Sequence, residues 1–314
     1  MEEKQLYPLS LCTILDEYKW GNEEFKLADL GYRDSLVKDG WLAGNSLSEI
    51  MDTYMDRVTG DSCFDYYGRQ FPFQIKTLEC KGRMPLRVHP DDEIAAQRYD
   101  LLGKEKLWYI QKAGKDAVLY LGFKQDTDGV VFFDKCNDGT VDTLLNGVAV
   151  HPGQSFLIKP GTVHAAKGDV TIVEVSESSP ADFCLCSWGQ ELGEEEFDPA
   201  FDLVEALDII DYKAYTAAKA EDCIHFAANF INLDKPMAMD TEASGACVAY
   251  YCLKGRASVQ MSVLGSAVNF FIGEGETILV PSDVSEYIIS PAEKNTEVLE
   301  AFPKTIKSKN GWEQ

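Results

Sequence analysis

The sequence is short of positive charge, of long apolar runs and of paired cysteine motifs. Lysine and arginine together number 29 against 52 aspartates and glutamates, a formal net charge of −23. Such a chain repels polyanions, which argues against nucleic acid and against anionic membranes as partners. It does not prevent a local basic pocket from holding a small anion. No segment approaches the roughly 18 uninterrupted apolar residues of a membrane-spanning helix, so no membrane span is expected. The opening MEEKQLYPLSLCTILDEYKWG has no basic stretch followed by an apolar run, so no secretory signal is read there and a cytoplasmic location is expected. The nine cysteines are odd in number and scattered, as in a reduced chain with buried thiols. Cys184 and Cys186 form a lone CxC, read as core thiols rather than metal ligands.

At 314 residues, 45% hydrophobic and 26% charged, the chain is long enough for two ordinary domains. Ser46 precedes apolar residues at helical spacing in SLSEIMDTYMDRV, which predicts a capped helix over 46–58. From Phe71 to Trp188 the texture becomes short apolar or alternating runs: FPFQIKTLE, LWYIQKA, AVLYLGF, GVVFF, SFLIK, TIVEVSE and FCLCSW. Turn residues separate them, the rhythm of an all-β sandwich or barrel. Residues 191–220 are acidic and helix-prone and read as a helical linker, with Glu194–Glu196 a solvated helix start. Strand texture returns from Cys223 to Phe302, and KTIKSKNGWEQ reads as a tail. The expected division is 1–190, 191–220 and 221–314.

The two strand-rich parts share a repeat. Gly153-QSFLIKPGTV-His164 can be laid on Gly275-ETILVPSDVS-Glu286: a glycine, an apolar strand, a proline near the turn, and a polar residue eleven positions after the glycine. The histidine of the first copy becomes a glutamate in the second.

PLRVHPDD, residues 85–92, poses the chemical question. Residues i and i+2 of a strand share a face, so Arg87 and His89 are expected to project side by side. A guanidinium has no lone pair to give a metal. Of the other histidines, His151 lies in a turn, VHPG, and reads as structural or solvent-facing. His225 alternates with apolar residues and reads as a satisfied strand histidine.

The Gly-strand-Pro-turn-His pattern resembles the second motif of the cupin fold. With YPLSL…YKWG, LAGNSLSEIM, FPFQIKTLE, VHPDDE, GKEKLWYI, KPGTVHA and GETILVP in order over nearly the whole length, the chain resembles the short, bacterial-type class I mannose-6-phosphate isomerase family. That resemblance implies a mostly β fold of two cupin-like (jelly-roll) β-barrel domains joined by a helical linker, with the ancestral active site in the first. It implies interconversion of mannose 6-phosphate and fructose 6-phosphate, with a zinc ion polarising the carbonyl. The family's ligands are a Gln and a His in QVHP, a Glu in KTEMWY and a His in GTVHA.

Two ligand positions match, His89 and His164, and two depart. The Gln position is Arg87 and the Glu position is Lys106. Glu105 is one residue away, on the opposite face unless a bulge intervenes. A family Arg in NSDTTYRVYDW falls on Cys184, and the early ESWE signature is not recognisable. Lys104 matches a family lysine associated with substrate. The resulting expectation is a degenerate zinc site, with zinc implied by the family and doubtful here. His89 and His164 would be residual ligands. Arg87, Lys106, Glu174 and Trp108 would be ligand-binding residues, and Lys104 a candidate catalytic base. The Lys106 ammonium is expected in the metal's place beside Arg87, with Glu174 paired to one of the cations. Arg87, Lys106 and Glu174 then form either an internal salt-bridge filler or a pocket for an anion. Trp108 and Tyr109 line a sugar pocket or pack in the core. Two function classes follow: a phosphosugar isomerase relative with lost or altered catalysis, a pseudoenzyme candidate, or a non-catalytic, regulatory cupin that binds a sugar phosphate or other anionic sugar.

Overall fold

A computed structural model describes residues 4–188, 203–241, 245–263 and 265–304. The whole segment 189–202, including Glu194–Glu196, and the tail beyond residue 304 therefore lie outside the described residues. The architecture is mostly antiparallel β, as the strand rhythm predicts. The chain divides into two compact units. One comprises residues 1–14, 25–75 and 224–314, the other residues 15–24 and 76–223.

The first unit holds a five-stranded sheet in the order Leu9–Ser10, Thr277–Val280, Val248–Lys254, Thr296–Pro303, Phe226–Leu233. It also holds a four-stranded sheet of Met237–Asp240, Glu286–Pro291, Arg256–Val263 and Ser266–Gly273. The expected helix begins where the cap was read. Ser46 accepts from the backbone of Glu49, and the Glu49 carboxylate accepts from the Ser46 backbone at 2.9 Å. Leu47, Ile50 and Met51 are its buried stripe. The helix is shorter than expected: Leu47–Tyr54 ends at Met55, whose φ of 48° lies in the left-handed region, and a separate turn of helix, Asp56–Thr59, follows.

The second unit contains a five-stranded sheet in the order Phe183–Cys186, Leu86–Val88, His164–Lys167, Val118–Phe123, Leu145–Ala149. A six-stranded sheet, most of whose residues belong to this unit, runs Ile14–Tyr18, Gly21–Leu27, Phe73–Cys80, Val170–Glu177, Lys106–Ala113, Ser155–Ile158. One core lies between these sheets: Trp20, Leu78, Trp108, Ile110 and Ile172 come from the longer sheet, Leu119, Leu121 and Ala166 from the shorter. The alternate residues Tyr120, Val88, Ala165 and Phe183 face the other way, and a register shift after Tyr120 turns Phe123 with them, into a second apolar layer with Phe132, Ala206, Ile209 and Ile210. Of the expected linker, Leu203, Ala206, Leu207, Ile209, Ile210 and Tyr212 join this layer, with one short helix, Leu203–Ala206, while Tyr215 packs against the core between the sheets. The run GVVFF, read as a strand, is instead the start of the helix Gly129–Asn137. Asp128 caps it, accepting from the Val131 backbone at 2.9 Å, and Phe132 is buried while Val130 faces solvent. A four-residue apolar run cannot distinguish strand from helix, and the cap decided it.

The repeat is realised in both units. Gly153 and Gly275 sit at φ of 89° and 81°, the left-handed region that glycine enters at little cost. Each precedes a strand, Ser155–Ile158 or Thr277–Val280, and a turn leads into the strand that begins at His164 or Glu286.

Candidate functional site

The inward faces of the second unit change character along their length. On Phe73–Cys80, Leu78 and Cys80 are core residues, and Lys76 continues the same face. On Lys106–Ala113, Trp108 and Ile110 are core, and Lys106 continues them. On Val170–Glu177, Glu174 follows Ile172 two residues later. On the facing sheet, His164 shares its face with Ala166, and Arg87 and Cys184 pair directly beside it. Strand alternation therefore gathers charged and imidazole side chains at one end of an otherwise apolar core.

At the centre is Lys106, whose side chain is 1% exposed. Its Nζ lies 3.1 Å from His164 Nε2 and 2.5 Å from Asp182 Oδ2. His164 Nδ1 lies 2.9 Å from the Thr162 carbonyl, which can only accept, so Nδ1 carries the proton and Nε2 presents its lone pair to Lys106. The His89 ring is 5.2 Å from that of His164, and neither of its buried nitrogens has a hydrogen-bond partner. Burial first, then Lys106, holds both imidazoles neutral, His164 down to about 3 and His89 well below its ordinary value.

An alternating chain of charges extends from this point. Arg87 Nη1 lies 3.9 Å from Asp182 Oδ2 and 3.0 Å from Glu23 Oε1. Lys76 Nζ joins Glu23 Oε2 at 2.9 Å and Glu174 Oε1 at 3.6 Å. Glu174 also accepts from Trp108 Nε1 at 2.6 Å and from Ser176 Oγ at 3.2 Å. Burial opposes ionisation of each carboxylate, but the cations outweigh it. Lys76 and Arg87 hold Glu23 below the usual range, Lys76 and Lys106 bring Glu174 to about 2, and Lys106, Lys104 and Arg87 hold Asp182 well down. Lys104 is 4% exposed; its backbone N–H donates to the Pro90 carbonyl at 3.1 Å, but its ammonium has no hydrogen bond or ion pair among the described residues. Burial, offset in part by Asp182 and reinforced by Lys106, pulls it down to about 8.

The structure thus brings together Arg87, His89, Lys104, Lys106, His164 and Glu174. Glu174 does pair with a cation, but that cation is Lys76. Trp108 is fully buried, in edge contact with His164 at 5.4 Å between ring centroids, and packs as core. Glu105 turns away to Lys159, at 2.5 Å. His151 is exposed in its turn, and His225 is buried, 3.4 Å from the Tyr67 hydroxyl. Sequence reading missed Asp182, Glu23 and Lys76. A signal existed for two of them: Lys76 interrupts an apolar inward face, and Asp182 lies two residues before Cys184, the position of the family's arginine.

Three donors in the cluster, His89, His164 and Asp182, have ligand atoms all within 4.8 Å of one another, and the partnerless His89 nitrogens and Asp182 Oδ1 are of the kind a metal takes. The arrangement nevertheless does not fit an added divalent ion. Lys106 engages the His164 lone pair and an Asp182 oxygen. An ammonium and a divalent ion ~4 Å apart repel by about 8 kcal/mol at an effective dielectric of 20.

No protein-family model matches the chain. Its sequence is similar to the mannose-6-phosphate isomerase ManA of Bacillus subtilis (strain 168), 24% identical over 332 residues that cover 96% of this chain and 98% of that protein. It is also 22% identical over 311 residues to GmuF of the same strain, a probable mannose-6-phosphate isomerase, covering 90% of this chain and 96% of the relative. The fold superposes on the crystal structure of the mannose 6-phosphate isomerase from Bacillus subtilis with a TM-score of 0.80 at 16% identity, over 94% of this chain and 99% of that one. A point variant of phosphomannose isomerase from Salmonella typhimurium gives 0.71 at 12% identity, over 95% and 100%.

Proposed function

We infer that the chain is a member of the class I mannose-6-phosphate isomerase family of cupin-like β proteins, and from that premise propose that its second unit binds a phosphosugar or other anionic sugar at the Arg87–Lys104–Lys106 cluster, with the aldose–ketose isomerisation lost or altered. One observation carries this reading. Three cations, Lys76, Arg87 and Lys106, pair with three carboxylates, Glu23, Glu174 and Asp182, a fourth, Lys104, is buried without an ion pair among the described residues, and both imidazoles are neutral. One positive charge is in excess inside a chain of net charge −23, and a buried charge without a partner is costly. An anionic ligand supplies the missing partner, with Lys104 its first contact. Arg87 and Asp182 are the members that reach solvent, their side chains 16% and 14% exposed.

Isomerisation through an enediol needs a proton acceptor and a group that steadies developing negative charge. Lys104, pulled to about 8, has a fraction of neutral amine near pH 7 and suits the first task. Lys106 and Arg87 are fixed cations suited to the second. The non-catalytic reading is favoured by a different observation. Asp182 and His164 are already engaged by Lys106, so the donors that would hold a Lewis acid are committed within the protein. Titration calorimetry with mannose 6-phosphate, mannose and inorganic phosphate tests the shared claim. Heat with the phosphates, lost in Lys104→Met, supports it; no binding to any of the three refutes it. A coupled assay for fructose 6-phosphate, with and without zinc, then separates altered catalysis from none.

A further inference from the structure

We propose that Lys106 is a built-in substitute for a metal ion: its ammonium is held where His89, His164 and Asp182 converge, and the site carries a tethered single positive charge instead of taking up a divalent cation. The first support is the state of His164. Its Nδ1–H is given to the Thr162 carbonyl, the arrangement that turns a histidine's Nε2 lone pair toward a cation, and the group at that lone pair is Lys106 Nζ, at 3.1 Å. The second is Asp182, which gives one oxygen to the same ammonium and leaves the other without a hydrogen-bond partner.

The third support is placement. Lys106 is on the inward face of its strand, two residues from Trp108, and essentially inaccessible to solvent. A lysine side chain brought to this point by burial alone would seek an anion and avoid an imidazole cluster; here it meets both an anion and a neutral imidazole nitrogen. The nearest acidic alternative, Glu105, is turned away by the pleat and paired with Lys159, so no second carboxylate displaces the ammonium. Two of the three Lys106 donors are used, to His164 and Asp182, which leaves a donor for an oxygen brought by a ligand.

The substitution has a chemical consequence. A divalent ion can be removed by chelation and replaced by another; an ammonium on a side chain can be neither. It donates hydrogen bonds where a metal accepts lone pairs, so a ligand here meets N–H groups and must present oxygens as acceptors.

The test reads metal stoichiometry with no sugar present, so its result is independent of the binding reading above. Full-length protein purified without chelator, dialysed against zinc and then freed of unbound zinc, is expected to hold far less than one zinc per chain, and chelator is expected to leave its melting temperature unchanged. Lys106→Glu removes the ammonium and adds a carboxylate to the three donors. It is expected to retain close to one zinc per chain, lost again when His164→Ala is added. If the glutamate variant does not fold, Lys106→Gln gives the same readout with a neutral side chain. Near one zinc per wild-type chain, lost in His89→Ala, overturns the proposal. So does a folded Lys106 variant that takes up no zinc, because the ammonium is then not what excludes the metal.

Discussion

The two copies of the Gly-strand-turn segment share a backbone and differ in what they bury. The first delivers His164, fully buried, into a chain of alternating charges; the second delivers Glu286, which is exposed. The buried polar group of the first unit is of another kind. Tyr250 donates to Glu300 at 2.9 Å and lies 2.8 Å from the Tyr287 hydroxyl, and Asn229 donates to the same glutamate. In that network hydroxyl and amide donors surround one carboxylate. The other unit holds four cations and three carboxylates in mutual dependence. A repeated fold thus sets where a side chain is delivered, not what chemistry it meets there.

The sharpest way to break this comparison is to remove one carboxylate from each network. Asp182→Ala leaves Lys106, Arg87 and Lys104 facing one another, and about 3–5 kcal/mol of unfolding free energy is expected to be lost in denaturant melts. Glu300→Ala removes an acceptor from hydroxyl and amide donors and is expected to cost about 1–3 kcal/mol. Equal losses would show that the charged cluster is no more interdependent than the neutral one.

Acid titration is the next largest effect. The folded-state pKa of His164, about 3, lies below the unfolded value of ~6.5, so the unfolded chain binds the extra proton first. Stability is expected to fall as pH drops from about 6.5 toward 3, by an order of a few kcal/mol, with the depressed carboxylates adding their loss below about pH 4. His164→Gln is expected to flatten the slope between pH 6.5 and 4, read from melts at fixed ionic strength; an unchanged slope would place the proton uptake elsewhere.

Lys104 makes the opposite prediction. Its folded pKa of about 8 lies below the unfolded ~10.4, so its ammonium disfavours the fold below pH 8 and the penalty fades as pH rises toward 10. Lys104→Met is expected to gain up to about 3 kcal/mol at pH 7, and the gap to wild type to shrink between pH 8 and 10. A destabilised variant would mean that the ammonium has an anionic partner. The smallest effect is expected in the first unit: Tyr250→Phe removes one hydroxyl and costs about 1 kcal/mol.

Much of this site was legible before any coordinates. Two-residue spacing set Arg87 and His89 together, and the turn after KPGTV presented His164. Lys106 fell on the inward face, and Glu105 off it, because a one-residue offset in a strand reverses the side chain. Asp182, Glu23 and Lys76 were not picked out. Glu23 and Lys76 lie on two different strands and Asp182 just before a third, far apart in sequence, and no local pattern marks an acid and a base as partners across sheets. GVVFF was misread for the related reason that a short apolar run carries no period of its own.

By itself, then, the sequence determined the β character and the repeat and pointed to the family, because these depend on composition and on spacing along the chain. Only the tertiary structure decided that Lys106 meets His164 and Asp182, that Lys76 and Glu23 close the chain of charges, and that Lys104 lacks an ion-pair partner among the described residues. Those facts depend on which strand lies beside which, and on a buried interior where a charge two or three ångströms from its partner is worth far more than the same pair in water.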